Sequence, residues 1–138
     1  MNKLELIILL AKAYNNLDIK EIEEVLSEEI IYESQNVLKP ICGKNELRAY
    51  LSAKFELIKN TKNTVFAEIG FLGEEDRSNF NDLSNYKGQP CIILSQGEKE
   101  NKGALILIEA ANNKILRIDI CTIAPHWTEA NSTNQYPS

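Results

Sequence analysis

The 138-residue chain holds one histidine, one tryptophan, one methionine and three cysteines. With a single imidazole and no Cys-x-x-Cys or Cys/His cluster, a zinc site built from nitrogen and sulfur ligands is excluded, and no metal is expected. Cys42, Cys91 and Cys121 are widely spaced. Cys91 and Cys121 lie in strand-like apolar runs, where a thiol behaves as a small buried hydrophobe. A nucleophilic cysteine would need a base, and nothing in the sequence sets His126 beside a thiol. No glycine-rich phosphate loop, nucleophile elbow or dinucleotide fingerprint occurs, so no cofactor is expected. No run approaches the roughly 18–20 apolar residues needed to span a membrane. Lys3 followed by Leu4 to Leu10 superficially suggests a signal peptide. Glu5 interrupts that short stretch, which continues as an amphipathic helix, so the expected compartment is the cytoplasm. The sequon Asn131-Ser132-Thr133 then has no consequence.

What is present describes a globular protein. Hydrophobic residues make up 43% of the chain and charged residues 25%, enough to build a core without disulfides. Fifteen Lys and Arg stand against twenty Asp and Glu, a formal charge of −5. Such a surface repels phosphate backbones, so no nucleic-acid partner is expected. Length and the absence of a linker or repeat predict one domain, residues 1–123, followed by a tail over 124–138.

Leu4, Ile7, Ile8, Ala11 and Tyr14 recur at helical spacing and predict a helix over about residues 2–16. Asp18 and Glu21 suggest a capping box opening a short second helix with Ile22, Val25 and Leu26 inward. Ile30 to Ser34 reads as a first strand. Pro40 and Gly43 punctuate a loop, and a long helix follows over about 44–59 with the stripe Leu47, Leu51, Phe55 and Ile58. Thr64 to Leu72, Pro90 to Ser95, Ala104 to Ala110 and Ile115 to Ile123 then read as strands. Asn112-Asn113 marks a tight hairpin, Gln96 to Gly103 a charged turn, and Gly73 to Gly88 a long polar loop. Residues after Pro125 lack periodicity and read as an extended appendage. Helices early and strands late predict an α+β fold, a curved antiparallel sheet wrapped around the long helix.

The run Leu10-Ala11-Lys12-Ala13-Tyr14-Asn15-Asn16-Leu17-Asp18 resembles the first helix of the nuclear-transport-factor-2-like superfamily. So do Glu28-Glu29 leading into Ile30-Ile31-Tyr32-Glu33, Gly43-Lys44 opening a helix with Tyr50-Leu51, and the hairpin Asn112-Asn113-Lys114-Ile115. Order and spacing agree over roughly residues 2–123. The resemblance implies a cone with a cavity open at one end, and a homodimer formed through the outer sheet face. Its members include cyclases, isomerases, dehydratases, epoxide hydrolases and proteins without known catalysis, so the fold does not fix the function. In ketosteroid isomerase the general-base Asp ends the first strand, at the place of Ser34 here, and the oxyanion-donating Tyr falls at Leu10. Serine is no base without a partner and leucine donates no hydrogen bond, so that activity is not expected.

Strand parity places Ile30, Tyr32 and Ser34 on one face and Ile31 and Glu33 on the other. The last strand sets Leu116, Ile118, Ile120 and Thr122 against Ile115, Arg117, Asp119 and Cys121. Asp119 with Arg117 forms either a polar end to the pocket or an outward pair; ordinary antiparallel patterning favours the outward arrangement. Glu68 and Glu109 could form an acid/base pair on neighbouring strands but read as solvated outer-face charges. Pro125-His126-Trp127 follows the last strand, where it could close the pocket mouth. The expected pocket is therefore lined by Tyr14, Tyr32, Ser34, Tyr50 and Phe55, with Trp127 near its mouth, and suits a neutral, mostly hydrophobic small molecule. The expected function is non-catalytic ligand binding or a dimeric interaction module. The alternative is a cofactor-independent isomerase, dehydratase or cyclase.

Overall fold

The structure, a computed structural model, describes residues 1–73 and 88–138. The long polar loop expected from Gly73 to Gly88 lies, apart from its ends, outside the described residues. Helix α1 (Lys3–Asn16) opens on a capping box. The Asn2 side chain accepts from the Glu5 amide at 2.8 Å, and the Asn2 amide donates to the Glu5 carboxylate at 3.1 Å. Leu6, Ile7, Leu10, Ala11, Ala13 and Tyr14 are all buried, so the helix is enclosed on more than its main stripe. It stops at Leu17, whose left-handed backbone (φ 50°) turns its amide back to the Ala13 and Tyr14 carbonyls.

The expected short second helix does not form as an α-helix. Asp18 does cap, accepting from the Lys20 amide at 3.0 Å, but two separate 3-10 turns follow, Ile19–Glu21 and Glu23–Val25. β-Branched Ile19, Ile22 and Val25 and the like charges of Glu21, Glu23 and Glu24 disfavour a continuous helix here. Ile22 and Leu26 are buried nonetheless.

Strand β1 (Leu26–Ser34) begins four residues earlier than Ile30. The two-residue strand β2 (Ile41–Cys42) leads through Gly43 (φ 99°, a conformation that favours glycine) into helix α2 (Lys44–Asn60). Strands β3 (Val65–Leu72), β4 (Pro90–Gln96), β5 (Lys102–Ala111) and β6 (Lys114–Cys121) follow, then a 3-10 turn at Trp127–Glu129 and strand β7 (Ala130–Ser132). They form a seven-stranded sheet in the order β2-β1-β6-β5-β4-β3-β7. The sheet is mostly antiparallel but not wholly so, because β1 pairs with β6 in parallel, from Ile31↔Arg117 to Ser34↔Ile120. A parallel pair needs a long crossover, and α2 with β3 to β5 supplies it.

Parity divides the sheet cleanly. The concave face presents Ile30, Tyr32, Ala67, Ile69, Ile92, Ile106, Ile108, Ile118 and Ile120 to the helices. There the α2 stripe Leu47, Leu51, Phe55 and Ile58 is buried as the spacing predicts. Bulges at Leu94/Ser95 and Glu109/Ala110 bend the strands. The second bulge turns Ile115 inward, fully buried, and leaves Leu116 39% exposed, reversing the alternation expected for those two residues. Asn112 and Asn113 both hold positive φ (53° and 64°), the turn that a tight hairpin requires.

The C-terminal segment is no loose appendage. Strand β7 pairs antiparallel with β3 (Gly70↔Ser132, Leu72↔Ala130), and the Ile69 amide donates to the Gln135 carbonyl at 2.9 Å. Gly70 permits this approach: a Cβ there would lie 3.2 Å from the Asn131 carbonyl oxygen and 2.9 Å from Ile93 Cδ1. Alternation had hidden the segment because its pairing is chiefly backbone. On the convex face Leu72, Cys91, Ile93, Leu105, Leu107 and Cys121 are buried, with Trp127 and Ala130 packed on them. The apolar face on which an outer-sheet dimer was expected to form is thus already covered within one chain. Glu68, expected to be solvated, is 1% exposed; its carboxylate accepts from the Ser132 hydroxyl and from the Asn134 amide at 2.8 Å.

Two measurements check this packing. Phe55→Ala should destabilise the fold by about 3–5 kcal/mol in urea unfolding, whereas a loss below about 1 kcal/mol would place Phe55 outside the core. Burial pushes the Cys91 and Cys121 thiols up to about 12, while Cys42 is exposed. At about pH 8 a thiol-specific disulfide reagent should therefore react rapidly with Cys42 alone in the folded protein and with all three cysteines after unfolding. Rapid modification of Cys91 or Cys121 in the native state would contradict the buried convex face.

Candidate functional site

At one end of the sheet β1, β4 and β6 finish and β5 begins, and there the concave face opens into a cavity of about 380 Å³. Its floor comes from strand residues of one parity: Tyr32 and Ser34 of β1, Leu94 of β4, Ala104 of β5 and Ile120 of β6. Tyr50 and Lys54, one turn apart on α2, form the opposite wall. Asn36, Val37, Gln96, Asn101 and Thr122 complete the rim.

The rim is tied together by polar contacts. The Gln35 carboxamide oxygen accepts from the amides of Thr122 at 2.7 Å and Ile123 at 2.6 Å. The Thr122 hydroxyl and the Asn36 carboxamide oxygen are 3.2 Å apart. These bonds hold the loop after β1 against the segment after β6. Val37 (52% exposed) and Ile123 (72%) leave apolar side chains in solvent, and Leu38 beside them is fully exposed.

Three tyrosines meet beneath the opening. The Tyr32 and Tyr50 ring centroids are 5.5 Å apart, and behind them Tyr14 packs edge-on to Phe55 at 5.3 Å. Burial raises both the Tyr14 and Tyr32 hydroxyls well above the ordinary tyrosine range, and the neighbouring phenols raise Tyr32 further. Among the described residues no side chain stands in good hydrogen-bonding geometry to the Tyr14 hydroxyl, although Tyr32 is close enough to influence its ionisation. The Tyr14 and Tyr32 phenols therefore remain neutral donors and acceptors rather than bases.

Lys54 is half-buried, and its ammonium lies 6.0 Å from the Tyr50 ring centroid. Burial lowers its pKa below the usual lysine value. Among the described residues, no carboxylate or imidazole lines the cavity.

The structure brings Tyr32, Ser34 and Tyr50 together on the cavity wall and leaves three other expected residues off it. Tyr14 and Phe55 are core residues one layer behind, Tyr14 being 1% and Phe55 2% exposed. Trp127 is not near this mouth. It lies on the convex face, with the Lys102 ammonium 5.7 Å from its ring centroid, because the chain after β6 turns outward to pair with β3. His126 caps the 3-10 turn that follows it, its Nδ1 2.9 Å from the Thr128 hydroxyl. Leu10, at the place of an oxyanion donor, is fully buried.

Arg117 and Asp119 take the outward arrangement. Arg117 Nε donates to both Asp119 oxygens at 3.1 and 3.2 Å, and Nη2 donates to Glu33 at 2.6 Å. With the exposed Glu109 opposite Arg117 in register, they line a groove of about 390 Å³ on the convex side. Glu68 and Glu109 do not converge: the first is buried beneath β7 and the second is exposed.

Sequence reasoning missed Lys54, Asn36, Gln96 and Asn101. The signal for Lys54 was present, since it follows Tyr50 by four residues and shares its helix face. The others lie on loops or strand ends, where parity carries no information.

Among the described residues no three His, Cys, Asp or Glu side chains gather as a metal site, and no helix is long and apolar enough to cross a membrane. No protein-family model matches the sequence, and neither does any curated protein. Solved structures do match. One is an NTF2-like protein of unknown function from Mesorhizobium loti: 12% identity, TM-score 0.60, 90% of this chain and 96% of that one covered. An LEH-like epoxide hydrolase of M. tuberculosis superposes at TM-score 0.55 with 11% identity, covering 85% and 79% of the two chains. A de novo designed protein with a curved β-sheet matches at TM-score 0.58 and 14% identity, covering 90% and 89%. Together with the curved sheet and its seated helix, these likenesses establish that the chain has the nuclear-transport-factor-2-like fold.

Proposed function

We propose that the chain binds one small, predominantly apolar molecule in the open end of the cone and does so without catalysis. The observation that carries this reading is the composition of the cavity. Its volume of about 380 Å³ suits a ligand of modest size, and its floor is chiefly aromatic and aliphatic, with Asn36, Gln96, Asn101 and Thr122 at the rim. Catalysis by proton transfer needs a group poised to exchange a proton with the substrate, and Tyr32, held neutral by burial, does not supply one.

The rival reading is a cofactor-independent isomerase, dehydratase or cyclase. One observation favours it: burial shifts Lys54 in the direction that frees an amine to accept a proton. Under that reading Lys54→Met would abolish turnover while leaving ligand affinity nearly intact. Under the binding reading no Lys54-dependent turnover exists.

Self-association is proposed on the rim rather than on the covered convex face, because Val37, Leu38 and Ile123 are the apolar side chains left in solvent there. Light scattering at micromolar concentration should give about twice the chain mass of 15.6 kDa. A persistent monomer at high concentration would remove the dimer.

For the ligand, a library of hydrophobic small molecules should contain compounds that raise the melting temperature in a saturable, concentration-dependent way. Tyr32→Phe should weaken the best of them by about 1 kcal/mol if its hydroxyl bonds the ligand. A library that shifts nothing would leave the cavity without a binding role.

A further inference from the structure

We infer that the molecule held in this cavity is an amphiphile ending in a single carboxylate, with Lys54 as its counter-ion. The inference rests on the binding function proposed above and adds the chemical class of the ligand.

Among the described residues Lys54 is the one charged side chain on the cavity wall. It differs from Lys44 and Arg48 on the same helix in having no carboxylate to answer it. Lys44 lies 3.9 Å from Glu28 and Arg48 3.8 Å from Glu23, whereas no Asp or Glu among the described residues comes within ion-pairing distance of Lys54. A half-buried ammonium facing this cavity without an anion bears a desolvation cost that an incoming carboxylate would offset. The Tyr50 ring beside it stabilises the cation only weakly at that distance.

The surrounding groups fit the same ligand. The Asn36 carboxamide oxygen is engaged by the Thr122 hydroxyl, which leaves its amide hydrogens on the rim free to donate. The Tyr50 hydroxyl is a further donor on the wall. Below them Tyr32, Leu94, Ala104 and Ile120 offer an apolar floor for a hydrocarbon body. One flexible ammonium, with no arginine fork, matches one negative charge and leaves a phosphate dianion half unneutralised. The net charge of −5 does not oppose this, because screening beyond about 8 Å makes the local cation decisive.

The test is calorimetric titration of the full chain with decanoate and with 1-decanol, both below their aggregation limits, on the wild type, Lys54→Gln and Lys54→Arg. Decanoate should bind the wild type about tenfold more tightly than decanol. Lys54→Gln should level the two affinities with decanol unchanged, and Lys54→Arg should restore the preference. The unchanged decanol affinity shows that the Gln variant is folded. Equal affinities in the wild type, or a decanoate preference that survives in Lys54→Gln, would overturn the charge reading while leaving an apolar binding site in place. If neither compound binds, the binding function fails and this inference with it.

Discussion

The seating of α2 in the concave face of the sheet is the contact on which the rest of the molecule depends. Leu47, Leu51, Phe55 and Ile58 occupy one stripe of the helix, and all four are buried. That stripe fixes the helix rotation, and rotation decides what the adjoining residues do. Tyr50 and Lys54 fall beside the stripe and look across the open end, while Leu57 falls away from it and is 64% exposed. The pocket therefore opens beside the buried stripe, at the place where β1, β4 and β6 end.

The sheet contributes its own constraint. Beside β6, β1 makes the parallel pair, so the ends of both strands, Ser34 and Ile120, arrive together at the same edge of the cavity. The Gln35 side chain then ties the following backbone segments to each other. At the opposite edge of the sheet, β7 closes β3 and buries Glu68 beneath it, with the Lys102 ammonium 4.0 Å from the carboxylate. One end of the sheet is thus closed by the chain itself, and the cavity lies at the end where β1, β4 and β6 terminate.

Much of this was legible in the sequence, for reasons that differ by element. The stripes of α1 and α2 and the parity of Tyr32 and Ser34 follow from helical and strand periodicity, which core packing enforces. Asn112-Asn113 was readable because the turn demands residues tolerant of positive φ. Strand β7 was not, since the partner of a short edge strand is chosen by backbone geometry and by the space at Gly70 rather than by an apolar pattern. The burial of Glu68 followed from that same unseen strand. Trp127 was misplaced for a related reason: its position depends on which way the chain turns after Cys121, and no periodicity reports a turn. The 3-10 turns after Asp18 show local charge and β-branching overriding a capping signal. Lys54 was missed because a lysine on a helix reads as solvated until the neighbouring strands are known to end beneath it.

The proposed function requires the open end of the cone to receive an apolar molecule between Tyr32, Tyr50, Ala104 and Ile120. A high-resolution crystal structure of the protein co-crystallised with decanoate tests this most directly. The expected result is continuous elongated density along that floor with its head within ion-pairing distance of Lys54. A cavity that stays filled with water, or density found only in the convex groove beside Arg117, would contradict it.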